Sequence, residues 1–155
     1  MRDSERILTS QGRTDLATAV PRYLAALGKR GLPTPDRLVY SRWRRTAETA
    51  RIINAGMGPL TMEQAEWLIP GSGIDDVAKA MDRHDDHNGG VTAEHWLLVS
   101  HQPLVSRLID YLLGSYGEVP PLSPGGLCCL EASHCGAGVG TLKFWAMAPY
   151  YEVSL

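Results

Sequence analysis

Short apolar runs alternate with longer stretches of helical character along this chain. Thr14–Leu27 is rich in Ala and Leu and stops at Gly28-Lys29-Arg30-Gly31. That predicts a helix with a basic last turn and a glycine cap, kinked or delayed by Pro21. Leu38-Val39-Tyr40 is a short β-prone run followed by Ser41, and Trp43–Ala55 has helical character ending at Gly56. A short helix is expected over Ile74–Met81, a strand over Trp96–Val99, and a helix over Pro103–Leu113, where a proline at the first position costs little. Leu127–Glu131 and Thr141–Met147 read as two late strands, with Gly136–Gly140 between them. Asp82–Gly90 is polar and turn-rich, so it reads as a surface loop. Strands alternating with helices predict an α/β domain with a mostly parallel sheet.

Length and composition narrow the picture. With 155 residues and a hydrophobic fraction of 44%, one domain over 1–155 with one core is expected. A formal charge of -2 argues against a surface devoted to nucleic acid or to an anionic membrane. The apolar runs are too short to span a bilayer, and no secretory leader is visible, so a cytoplasmic protein is expected. Cys128, Cys129 and Cys135 are an odd, crowded set that does not resemble a disulfide framework.

Two junctions carry candidate chemistry. Tyr40-Ser41 leads into Arg42–Arg45, and Val99-Ser100 leads into His101. Each puts polar groups where a strand ends and a helix begins, the place where α/β sheets bind ligands and where helix N–H groups favour an anion. Three arginines at one helix start oppose the helix dipole unless an anion is bound there. Arg45 lies about one turn beyond Ser41 and can reach back to the strand end. A solvated basic helix face accounts equally well for Arg42 and Arg44. His101 alone is compatible with a purely structural histidine, and it gains a function only if Arg45 supplies the same anion site. No metal site is expected. His84-Asp85-Asp86-His87 reads as part of the polar loop, and adjacent Cys128 and Cys129 face opposite ways on a strand. His95 reads as structural, and Trp43, Trp67, Trp96 and Trp145 read as core or rim.

These segments resemble one family. Leu98–Val105 (LVSHQPLV) is similar to the Ser-His-x-Pro-x-Val segment of SixA-type phosphohistidine phosphatases, a short branch of the histidine phosphatase superfamily related to phosphoglycerate mutase. Tyr40–Thr49 resembles its Ser-Pro-x-x-Arg-x-x-x-Thr segment through Ser41, Arg45 and Thr49, with Arg42 in place of the proline. Ser4–Arg13 resembles its Arg-Pro-Leu-Thr-x-x-Gly stretch through Arg6, Leu8, Thr9 and Gly12, and Phe144–Pro149 resembles its closing strand. The likeness runs from Arg6 to Pro149.

The resemblance implies a three-layer, phosphoglycerate mutase-like sandwich and a cofactor-free hydrolase. In that family a histidine carries the phosphoryl group while arginines and a second histidine hold it. Arg45 and His101 carry over as the catalytic, phosphate-holding pair, and Ser41 as a further phosphate-site residue. The implied partner is a protein bearing phosphohistidine, such as a phosphorelay domain, with no nucleic acid or membrane. The family's Arg-His-Gly nucleophile motif has no counterpart, because no histidine precedes His84. The expected first strand is likewise missing, and an N-terminally truncated domain with an exposed strand edge, prone to aggregate or dimerise, follows as an expectation. The alternatives are a non-catalytic binder of phosphate or phosphoprotein, and a phosphatase of a small phosphorylated metabolite.

Overall fold

The computed structural model describes residues 1–87 and 95–155, with the backbone alone for Asp85, Asp86 and His87. Helix α1 spans Ser10–Lys29 and starts four residues before the predicted onset. Thr9 explains the earlier start, since its Oγ1 accepts from the Gly12 N–H at 2.9 Å and caps the helix. The helix runs through Pro21. Pro21 and Ala17, whose carbonyl it leaves without a helical donor, are both exposed, so water can satisfy that oxygen.

Strand β1 (Arg37–Ser41) is central to a parallel sheet of order β2-β1-β3. Strand β3 is Trp96–Val99, as its β-prone run predicts. Strand β2 (Thr61–Ala65) has no counterpart in the sequence reading. Its Thr-Met-Glu-Gln-Ala lacks the aromatic and β-branched content that marks a buried strand, because it is mostly exposed. Arg37 of β1 reaches across to Glu63 of β2 at 2.8 Å.

Between β1 and β2, helix α2 covers Arg44–Met57 and passes through Gly56, the predicted stop. Gly56 is a packing residue: a Cβ there would lie 2.6 Å from Val20 Cγ1, so its absence lets α1 and α2 approach. Helix α3 spans Ile74–His87, which corrects the loop expected from Asp82. Its stripe of Ile74, Val77, Ala78 and Met81 continues to His84, whose ring stands edge-on to Trp96 at 4.7 Å. The remainder of that expected loop, 88–90, lies outside the described residues. Helix α4 is Leu104–Leu113, ending at Gly114 in a left-handed turn.

Period-two alternation sorts the sheet's side chains between two helical layers. Leu38, Leu97 and Val99 pack with α1 and α2, while Val39, Trp96 and Leu98 pack with α3 and α4. This is the expected three-layer α/β architecture. A separate antiparallel pair, β4 (Leu127–Glu131) and β5 (Thr141–Ala146), completes the fold. Its two faces are split as the adjacent cysteines require: Cys129 packs under Tyr23 and Leu27 of α1, and Cys128 under α4. All three cysteines are free. Helices α1 and α4 each touch both sheets, α1 through Val20 and Tyr23, α4 through Leu104 and Ile109. Among the described residues, no helix is long and apolar enough to cross a membrane.

Candidate functional site

From β1 the chain passes into α2 on one face of the sheet, and from β3 into α4 on the other. A crevice opens at the carboxyl ends of neighbouring parallel strands where the connections diverge in this way. Ser41 ends β1 and His101 follows β3 by two residues, so the two meet there. Arg45, in the first turn of α2, comes over the same point.

The geometry is specific. His101 Nε2 lies 2.8 Å from Ser41 Oγ, and Ser41 is fully buried. Arg45 Nη2 stands 3.4 Å from His101 Nδ1. A guanidinium can only donate, so this network assigns Nδ1 as the acceptor and places the ring proton on Nε2, facing Ser41. Burial, followed by the nearby Arg45 guanidinium, lowers the His101 pKa to about 4, and the Asp3 carboxylate opposes part of that shift. The imidazole is therefore neutral at neutral pH, with a lone pair on the edge that faces Arg45.

Neighbouring residues hold this arrangement in place. Trp43 stands edge-on to the His101 ring at 5.1 Å, and its own ring lies 5.0 Å beneath the Arg45 guanidinium carbon. Thr46 Oγ1 donates to the carbonyls of Ser41 and Trp43, each at 2.8 Å, which fixes the turn from β1 into α2. Trp43 provides no side-chain cap to α2, so the N–H groups of the first turn receive no acceptor from it. Gln102 steadies α4 by accepting from the Ser106 N–H at 3.0 Å. Arg42 joins the ends of β1 and β2 through Glu66 at 2.6 Å.

An anion already occupies the place beside Arg45. Residues Asp3–Glu5 form a 3₁₀ turn over α2. Arg45 Nη1 donates to the Asp3 main-chain oxygen at 2.9 Å, and both Asp3 carboxylate oxygens lie 3.4 Å from the guanidinium.

The structure thus brings Ser41, Arg45 and His101 together, and the Ser41 hydroxyl faces His101 from within the core. Thr49 binds the Arg45 carbonyl at 2.8 Å inside α2, and Thr9 caps α1, so these two residues of the resemblance serve helices. His95 lies at the opposite end of β3, where Nδ1–H donates to the Pro33 carbonyl and Nε2 accepts from Tyr23, each at 2.7 Å. His134 sits in an exposed turn beside Ser133. Sequence reasoning missed Asp3 and Trp43. Trp43 is legible as a neighbour of Arg45 in the same motif, whereas Asp3 is brought in by a contact spanning 42 positions.

Solved structures share this fold. A protein histidine phosphatase SixA complexed with tungstate matches at a TM-score of 0.69 and 23% identity, covering 93% of this chain and 85% of that one. A protein described as phosphohistidine phosphatase SixA from Agrobacterium tumefaciens matches at 0.67 and 17%, covering 96% and 87%. Another so described, from Nakamurella multipartitia, matches at 0.59 and 22%, covering 100% and 86%. No protein-family model matches the chain, and none of the curated proteins does. At these identities the likeness establishes the SixA-type, phosphoglycerate mutase-like fold.

Proposed function

We propose that this chain is a SixA-like phosphohistidine phosphatase domain acting in the cytoplasm on a phosphohistidine-bearing protein. Arg45 holds the phosphoryl group, His101 joins it by taking a proton on Nδ1 when the anion binds, and Ser41 positions His101. The observation that carries the reading is the anion at the crevice: a carboxylate rests on Arg45, the same guanidinium that meets Nδ1 of His101. A phosphoryl group offers more acceptor oxygens and more charge than Asp3, and a guanidinium binds such a group in a planar fork. A relative of the same fold holds tungstate, a tetrahedral oxyanion.

Transfer through a phosphohistidine intermediate needs a second imidazole in line with phosphorus. Among the described side chains, none but His101 stands at this crevice: His95 is bonded to Tyr23 and Pro33, His84 packs on Trp96, and His134 is in a distant turn. That observation favours a second reading, a domain that binds phosphate or phosphoprotein without turning it over.

Phosphate titration followed by NMR or calorimetry tests both. Arg45→Ala should weaken binding by about ten-fold or more, the loss typical of a charged hydrogen bond. Release of inorganic phosphate from a phosphohistidine protein supports the phosphatase, while binding without release supports the second reading. If phosphate fails to bind the wild-type chain, neither stands.

A further inference from the structure

Beside the crevice lies an open cleft of about 550 Å³ lined by Met1, Ser4, Glu5, Arg42, Arg44 and Arg51, among others. Arg44 and Arg51 are seven residues apart on α2, about two turns, and so share a face. The three guanidiniums are unequally occupied. Arg42 is tied to Glu66 at 2.6 Å. Arg44 comes only to 3.6 Å from Glu48, a carboxylate already held more closely by Arg13. Arg51 has no ion-pair partner among the described residues. Excess positive charge at a helix start is unfavourable without an anion to answer it.

The chain's own N-terminal turn shows how such an anion could lie. Asp3 rests on Arg45, and the next two residues, Ser4 and Glu5, line the cleft. Asp3-Ser4-Glu5 is therefore a short acidic stretch running from the phosphate crevice into the arginine cleft.

We propose that this cleft is a binding site for an acidic polypeptide segment next to the phosphorylated residue, whose carboxylates meet Arg44 and Arg51 along the path that Ser4 and Glu5 line. The inference rests on the phosphate-site reading and adds to it the kind of sequence that flanks the phosphoryl group. A polypeptide fits better than a nucleic acid. Arg42 is already answered by Glu66, which leaves Arg44 and Arg51 as two separated cations, a spacing that suits spaced carboxylates better than a continuous phosphodiester backbone.

Three probes on the full chain test this: inorganic phosphate, a phosphoserine peptide with glutamates two and three positions away, and the same peptide with glutamines. The glutamate peptide should bind roughly five-fold tighter than the glutamine peptide, and added salt should shrink the difference. The double variant Arg44→Ala/Arg51→Ala should erase that preference and change the affinity for inorganic phosphate by less than about two-fold. Equal binding of the two peptides to the wild-type chain overturns the cleft and leaves the phosphate site standing. If inorganic phosphate does not bind, the phosphate reading fails by itself, and unphosphorylated versions of the two peptides decide the cleft by the same comparison. A single-stranded oligonucleotide that outcompetes the glutamate peptide, with its binding lost in the double variant, reassigns the cleft and overturns the proposal.

Discussion

Ser41 Oγ and His101 Nε2 stand 2.8 Å apart across the seam between β1 and β3, with the hydroxyl fully buried. This bond sets which edge of the imidazole faces Arg45. Replacing the hydroxyl with a methyl group leaves a buried N–H without an acceptor. Ser41→Ala should therefore cost about 1–3 kcal/mol in urea unfolding and weaken phosphate binding through a misplaced His101. Unchanged stability together with unchanged phosphate affinity would show that the bond positions nothing.

Asp3 competes with any anion for Arg45. Both partners of this ion pair are partly exposed, at 30% for Arg45 and 55% for Asp3, so the contact is weak and displaceable. Asp3→Asn should raise phosphate affinity about two- to five-fold, with calorimetry as the readout. A fall in affinity would instead make Asp3 part of the binding site.

The lowered pKa of His101 ties stability to pH. Its folded value of about 4 lies below the ordinary value near 6.5, so between the two the unfolded chain binds more protons. The stabilisation is complete above about pH 6.5, falls as pH drops toward about 4, and changes no further below that, a loss on the order of 3 kcal/mol. Urea midpoints of the wild-type chain and His101→Gln, measured across this window, should converge as the pH falls. Parallel curves would mean that His101 is not held neutral. Bound phosphate should raise the His101 pKa, visible as a shifted titration of its ring resonances.

Gly114 ends α4 at φ 64°, and a Cβ there would lie 2.8 Å from Gly138 Cα. Both the left-handed backbone and the close approach exclude a side chain. Gly114→Ala should destabilise by about 1–3 kcal/mol, lowering the melting temperature by several degrees and leaving phosphate binding intact. A neutral result would mean that the turn after α4 can rearrange.

What was legible in the sequence follows from how local each cause is. Trp96–Val99 announces itself because a strand sandwiched between helical layers is uniformly apolar, and α4 because its apolar stripe is strong. Strand β2 was invisible because a strand whose side chains are mostly exposed needs no such composition. Gly56 misled because a glycine that admits a neighbouring helix looks, in sequence, like one that ends its own. Arg45 and His101 could be singled out from their places after two strands, and the resemblance sharpened that choice. Asp3 could not, since only the folded chain brings it to Arg45. Ser41 could be picked out by its place at the strand end, but its bond to His101 could not, because sequence position cannot say whether a hydroxyl there faces the crevice or the core.

The two sheets are hydrogen-bonded within themselves, while α1 and α4 lie across both of them. A backbone ladder permits one register, whereas apolar packing tolerates small slippage. The residues of the crevice all stand on or next to the three-stranded sheet, the part with no freedom to slide. The β4–β5 hairpin has a ladder of its own, so it is a second rigid body, joined to the first through the apolar packing of α1 and α4. A change in the hairpin core, such as at fully buried Phe144, thus acts on stability first and reaches the spacing of Ser41, Arg45 and His101 only through those two helices.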